Sequence, residues 1–218
     1  MTPQSILVAP SMLAADFGRL AEETRRVETA RADWIHLDVM DGHFVPNLTI
    51  GPQVVAALRP VTTLPLDVHL MIEAPDQYLS DFIEAGADRV TVHAEACSDL
   101  KKVVEQIRRL GAKVGVAVRP QTGIEILKPV LDQMDLALLM TVNPGFGGQA
   151  FMPEVLPKIE ALRRLFDRYI QVDGGINYET ARSTHLAGAD VMVAGTYIFQ
   201  AADPKQAIAS LKGKGPPP

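Results

Sequence analysis

The chain has a single cysteine, Cys97, so no internal disulfide can form and a reducing compartment is the natural setting. No apolar run approaches the length of a membrane span. The first residues show no basic region leading into an apolar stretch; they pass directly into Ile6-Leu7-Val8-Ala9-Pro10, and the expected location is cytoplasmic. Excess positive charge is lacking too. A net charge of -5 and no evident basic face argue against nucleic acid or a membrane surface as partner. A phosphate can still be held by backbone amides, which need no net positive charge. No linker or low-complexity segment interrupts the chain, so one domain over residues 1–211 is expected, with a flexible tail over 212–218.

What is present is ordinary globular composition, 218 residues with 47% hydrophobic and 22% charged, a normal size for one α/β barrel. Short apolar runs alternate with helical patterns. The runs are Ile6–Pro10, Trp34–Met40, Leu66–Met71, Arg89–His93, Lys113–Val118, Leu136–Val142, Tyr169–Asp173 and Val191–Gly195. Several are β-branched and nearly continuous in apolar character, as suits parallel strands buried on both faces. Helices are predicted over Arg19–Ala30, Gln77–Ala85, Leu100–Leu110, Pro153–Phe166, Glu179–Ala187 and Pro204–Leu211, with weaker ones over Pro52–Leu58 and Gly123–Leu131. Eight strand–helix units close naturally into a single (β/α)8 TIM barrel. The alternative is an open doubly wound sheet. A nucleotide-binding sheet of that kind carries a glycine-rich turn after its first strand, where this chain has Pro10-Ser11-Met12-Leu13-Ala14.

Barrel active sites sit at the C-terminal strand ends. In His36-Leu37-Asp38-Val39-Met40, alternation puts His36, Asp38 and Met40 on one face. Asp67, His69 and Met71 share a face by the same parity, and a later run ends in Asp173. A lone histidine in a strand is usually a satisfied core residue, and a lone Asp at a strand end is usually a helix cap. Two imidazoles and two carboxylates at one level are better read as a divalent metal site, because unpaired buried carboxylates cost several kcal/mol, roughly. Asp67 lies earlier in its strand, nearer the barrel interior. Glycines follow three consecutive strands: Gly145, Gly147 and Gly148, then Gly174-Gly175, then Gly195-Thr196. Glycine lets backbone amides approach an anion, so these loops are candidate phosphate binders.

These strings resemble the ribulose-phosphate 3-epimerase family over nearly the whole chain. The carriers are Pro10 to Phe17, His36 to Asn47, Asp67 to Met71, Val142 to Gln149 and Val172 to Ile176, in the family's order. The resemblance implies a ribulose-phosphate-binding barrel with one divalent metal per subunit on His36, Asp38, His69 and Asp173. It implies Asp38 and Asp173 as acid and base, and Ser11 and His69 as substrate contacts. Met40, Met71 and Met140 would cover the reacting carbon, and the glycines after the sixth to eighth strands, with Thr196, would hold the phosphate. Thr196 replaces the family's usual serine but keeps a hydroxyl, and Ala14 stands where relatives often have serine. Nitrogen and oxygen donors suit zinc first, with manganese, iron(II) or cobalt as alternatives. A closed homo-oligomer, dimer or hexamer, is expected.

The implied chemistry is interconversion of D-ribulose 5-phosphate and D-xylulose 5-phosphate. Proton loss beside a ketone creates an enediolate, which a cation stabilises. Inversion requires a proton on the opposite face, hence two groups on different strands. Three rivals stand beside this reading. A phosphohexulose 3-epimerase could use the same site. A decarboxylase or aldolase relative fits less well: the decarboxylases set a lysine between carboxylates, where this chain reads His36-Leu37-Asp38. A non-catalytic phosphosugar-binding protein would not need both carboxylates.

Overall fold

The computed structural model describes residues 5–218. Eight parallel strands form one sheet: β1 Leu7–Pro10, β2 Ile35–Met40, β3 Leu66–Met71, β4 Arg89–His93, β5 Lys113–Val118, β6 Leu136–Met140, β7 Tyr169–Asp173 and β8 Val191–Ala194. Their order is β1-β8-β7-β6-β5-β4-β3-β2. The sheet closes where β1 meets β2, through Asp33 N–H donating to the Val8 carbonyl at 2.9 Å and a parallel bridge between Ser11 and His36. This is a (β/α)8 TIM barrel.

The helices are α1 Leu20–Thr29, α2 Pro52–Leu58, α3 Leu79–Glu84, α4 Leu100–Arg109, α5 Leu156–Arg163, α6 Tyr178–Ala187, α7 Thr196–Phe199 and α8 Pro204–Leu211. The crossover between β5 and β6 is a 3-10 helix, Ile124–Val130, in place of the expected α-helix. Pro129 lies inside it and has no N–H to extend an α ladder. α7 was not anticipated; at 4 residues it is too short to leave a periodic pattern.

Strand parity divides the core in two. Ile35, Leu37 and Val39 of β2 pack outward with Val68, Val90, Val116 and the helices. Ala9, Ala117, Leu136, Leu138, Val191 and Val193 fill the interior from the other strands, above Trp34 at the base. At the N-terminal end a single device recurs at every second strand. Asp33, Asp88, Asp135 and Asp190 precede β2, β4, β6 and β8. Their carboxylates accept the backbone N–H of Val8, Leu66, Val114 and Ile170 at 2.8, 2.8, 2.9 and 2.9 Å. Each also donates its own N–H to the carbonyl of that same residue. A cation accompanies each: Lys212, Arg59, Lys113 and Arg163. The barrel is thus clasped at its base by four equivalent strand-pair locks. Residues 212–218, expected as a loose tail, begin at Lys212, whose Nζ reaches Asp33 at 2.6 Å, and run to Pro218 at the edge of the cleft described next.

Candidate active site

The opposite end of the barrel opens into a cleft of about 930 Å³. Ser11, Asp38, Met40, Met71, Met140 and Asp173 form its floor, and the loops after β6, β7 and β8 its walls. All the predicted glycines, Gly145, Gly147, Gly148, Gly174, Gly175 and Gly195, line it, as does Thr196. Two of these glycines are required on steric grounds as well. A Cβ at Gly174 would lie 2.3 Å from a Val142 methyl and one at Gly175 2.6 Å from the Phe151 nitrogen, both at positive φ. The chain therefore passes close to its neighbours here, with no side chain intervening between backbone and cleft.

His36 and His69 lie directly beneath Asp38 and Asp173, with no exposed surface. One ligand atom from each of the four lies within 4.8 Å of all the others. His36 Nε2 is 3.3 Å from Asp38 Oδ1 and 3.9 Å from Asp173 Oδ2. His69 Nδ1 is 3.3 Å from Asp38 Oδ1 and 3.7 Å from Asp173 Oδ2. His36 Nε2 and His69 Nδ1 are buried and make no hydrogen bond. Orphaned imidazole nitrogens facing two carboxylates fit a divalent cation: the donor types are right, and such spacings suit ligand distances of roughly 2.0–2.2 Å. These residues could hold a metal ion.

The four groups shift one another's protonation. Burial pushes Asp173 up to about 7, and the charge of Asp38 adds to the shift. Asp38 goes the other way: burial opposes ionisation, but His36 and His69 outweigh it and hold the carboxyl well below the usual range. Burial works against protonation of His36, yet Asp38 and Asp67 raise it well above the ordinary imidazole value. His69 is pushed down to about 4, chiefly by burial, although its contact with Asp38 opposes the shift.

Several supporting roles emerge only from the structure. Asp67 Oδ2 lies 2.9 Å from His36 Nδ1 and accepts a hydrogen bond from Gln171 Nε2 at 2.7 Å. It therefore orients His36 from below, and Gln171 braces it from across the barrel. Strand parity already places Asp67 and Gln171 inside, but only the register, His36 opposite Asp67, pairs them. Ser11 Oγ donates to Asp38 Oδ2 at 2.6 Å, so the predicted substrate contact also fixes a carboxylate. Thr49 Oγ1 donates to the Asp38 carbonyl at 2.6 Å and accepts from Met40 N–H at 3.0 Å, pinning the end of β2. Asn47 Nδ2 donates to the Gly145 carbonyl at 2.7 Å and ties the loop after β2 to the loop after β6. His93, closing β4, lies 2.9 Å from His69 and 3.3 Å from Glu95. Burial works against ionisation of Glu95, but His93, Thr122 and the Arg119 amide hold it down to about 2. His43 lies on the surface and His185 bonds its own helix end through the Ala189 carbonyl, so neither reaches the site.

Fold and site together define a (β/α)8-barrel enzyme with a candidate metal centre at the mouth. Comparison narrows the class. A family model described as the ribulose-phosphate 3 epimerase family matches residues 7–199. Ribulose-phosphate 3-epimerase of Bacillus subtilis (strain 168) is 53% identical over 95% of this chain and 99% of its own. The protein of that name from Synechocystis is 51% identical over 98% of this chain and 96% of its own. The chloroplastic ribulose-5-phosphate-3-epimerase of Arabidopsis thaliana is 51% identical over 97% of this chain and 78% of its own. The chain belongs to the ribulose-phosphate 3 epimerase family. Among solved structures, KGPDC from Streptococcus mutans superposes with a TM-score of 0.73 at 17% identity, covering 97% of both chains. The tryptophan synthase A-subunit of Pyrococcus furiosus does so with a TM-score of 0.71 at 16% identity, covering 98% of this chain and 100% of its own. These two likenesses show the fold.

Proposed function

We propose that this chain interconverts D-ribulose 5-phosphate and D-xylulose 5-phosphate by moving protons on and off carbon 3 with Asp38 and Asp173. The observation that carries the mechanism is the convergence of these two carboxylates, from β2 and β7, on one point at the cleft floor. Each reaches the substrate from a different strand, so one takes the proton from one face and the other returns a proton to the opposite face. In the reverse direction they exchange roles.

His36, Asp38, His69 and Asp173 are the residues that would hold a divalent cation, zinc foremost. When bound, it would offset the negative charge that proton loss leaves across carbons 2 and 3, contributing several kcal/mol, roughly. Ser11 keeps Asp38 aimed through their hydrogen bond. Met40, Met71 and Met140 present apolar surface over the reacting carbon and exclude water. The glycines of the last three loops, with Thr196, offer backbone amides to the phosphate. Large apolar side chains left at the surface, among them Phe17 and Leu48, support assembly as a closed homo-oligomer, a dimer or hexamer. The lone unpaired thiol fits a cytoplasmic setting.

The test is incubation of the metal-loaded protein with D-ribulose 5-phosphate in deuterated water, followed by proton NMR of carbon 3. Xylulose 5-phosphate carrying deuterium is expected, and EDTA, Asp38→Asn or Asp173→Asn abolishes it. Neither exchange nor product, with an active control epimerase in the same buffer, refutes the pentulose assignment.

A further inference from the structure

We propose that Glu95, acting through His93, sets which ring nitrogen of His69 carries the hydrogen, so that Nδ1 presents its lone pair to the candidate cation site, making Glu95 and His93 positioning residues for that ligand. The inference rests on the reading of His69 as a ligand.

The argument is a count of hydrogens. To serve as a ligand, His69 Nδ1 must present a lone pair, so the neutral ring carries its hydrogen on Nε2. That Nε2 lies 2.9 Å from His93 Nε2. Two ring nitrogens at this distance share one hydrogen, so His93 Nε2 must accept and His93 must carry its own hydrogen on Nδ1. His93 Nδ1 lies 3.3 Å from Glu95 Oε2. A carboxylate there accepts that hydrogen, and every position in the line is satisfied. In the reverse arrangement a lone pair on His93 Nδ1 would face the carboxylate, and the His69 hydrogen would point to where the cation belongs. His93 cannot readily escape the line, because it is fully buried and the Phe44 ring packs on it with centroids 4.9 Å apart.

The other oxygen of Glu95 makes the test sharp. Glu95 Oε1 accepts from the Arg119 N–H at 2.8 Å and from the Thr122 hydroxyl. In Glu95→Gln these two donors require the amide oxygen at that position, which turns the amide NH2 toward His93 Nδ1. A donor now stands where an acceptor stood. The line then runs backward: His93 donates to His69, and the His69 hydrogen moves to Nδ1. One near-isosteric change, more than one residue removed from the cation, thus inverts the ligand.

The experiment measures zinc affinity by competition with a chromophoric chelator, on the full chain, for the parent, Glu95→Gln and His69→Ala. Glu95→Gln should weaken zinc by tenfold or more, within the range that lost outer-shell partners of metal ligands produce, while the metal-free melting temperature stays near the parent's. If His69→Ala binds zinc as the parent does, the ligand reading is wrong and the proposal falls with it. If His69→Ala loses zinc but Glu95→Gln stays within threefold of the parent, the Glu95 proposal alone is overturned. Long-range proton–nitrogen spectra of the zinc-loaded, ¹⁵N-histidine-labelled parent give an independent readout. His93 protonated on Nδ1 is the expected signature; His93 protonated on Nε2 overturns the proposal whatever the variants do.

Discussion

Gly115 tests how tightly the floor of the site is packed. It lies on β5, paired in register with Thr91 of β4, and Thr91 is in turn the register partner of His69. A Cβ added at Gly115 would fall 2.1 Å from Thr91 Oγ1, 2.9 Å from its Cβ and 3.1 Å from its Cα. The first of these contacts cannot persist, and Thr91 is wholly buried, so the strand or the side chain must shift. Overpacking of this kind costs about 2 kcal/mol. For a chain of this length that lowers the melting temperature by roughly 4–8 °C. The partner variant is informative because Thr91 Oγ1 makes no hydrogen bond. Thr91→Ala therefore loses no bond and removes the worst clash, so the double variant should recover at least half of the loss. Thermal melts of the four proteins followed by circular dichroism provide the cycle. Zinc affinity of Gly115→Ala should fall in parallel, since a displaced Thr91 pushes on the strand that carries His69. A Gly115→Ala protein melting within about 1 °C of the parent, or a double variant no better than Gly115→Ala, would refute this account of the interior.

Other outcomes follow from the same structure. Asp173 sits at about 7 without a cation and His36 is raised, so both carry protons near neutrality that a cation must displace. Zinc affinity should therefore fall as pH drops below 7, about tenfold per unit for each proton released; calorimetry in buffers of different ionisation heat that detects no proton release at pH 7 contradicts this. Cys97 is pushed up to about 12 by burial and by the charges of Asp76 and Glu95. At pH 8 its alkylation in the native protein should be roughly a thousandfold slower than in urea, and a native rate near the unfolded one would show the thiol to be accessible. Arg31 adopts φ 72 at the position where Gly86 and Gly188 stand in the equivalent clasps, with φ 110 and 114. Arg31→Gly should relieve about 1 kcal/mol of left-handed strain and raise the melting temperature by a few degrees, roughly, and a lower one would contradict the equivalence.

The strands were legible because parallel strands buried on both faces leave continuous β-branched runs: Leu66–Met71 and Tyr169–Asp173 are predicted and form over the same residues. The apolar run beginning at Leu136 misleads at its end. The strand stops at Met140; Thr141 stays buried with its Oγ1 donating to the Gly174 carbonyl, and Val142 lines the cleft. The four candidate ligands could be grouped because parity fixes facing within a strand. Their supports could not. Gln171 meets Asp67 across 104 residues and Asn47 meets Gly145 across 98, and such pairings follow from register and barrel closure, not from local pattern. Glu95 lies just beyond β4, where its side chain would be read as a loop charge until His93 is seen to join it to His69.

The interior is divided by chemistry, and the division explains why the base is clasped so heavily. Strands β1, β5, β6 and β8 face inward with Ala9, Ala117, Leu136, Leu138, Val191 and Val193. Strands β2, β3, β4 and β7 bring in His36, Asp38, Asp67, His69, Arg89, Thr91, His93, Gln171 and Asp173. A polar interior stabilises a fold only when its groups are partnered, and this one leaves His36 Nε2 and His69 Nδ1 unbonded. Of the ring nitrogens of His36 and His69, the two without partners face the carboxylates at the mouth, while the far nitrogen of each ring is held, His36 Nδ1 by Asp67 and His69 Nε2 by His93. The unsatisfied imidazole nitrogens thus point toward Asp38 and Asp173 of the cleft floor. Stability lost there has to be offset elsewhere, and the four aspartate clasps supply rigid, fully partnered closure at the end furthest from the cleft. The clasps thus fix the strand register at one end of the barrel, and that register sets the positions of His36, Asp38, His69 and Asp173 toward the other.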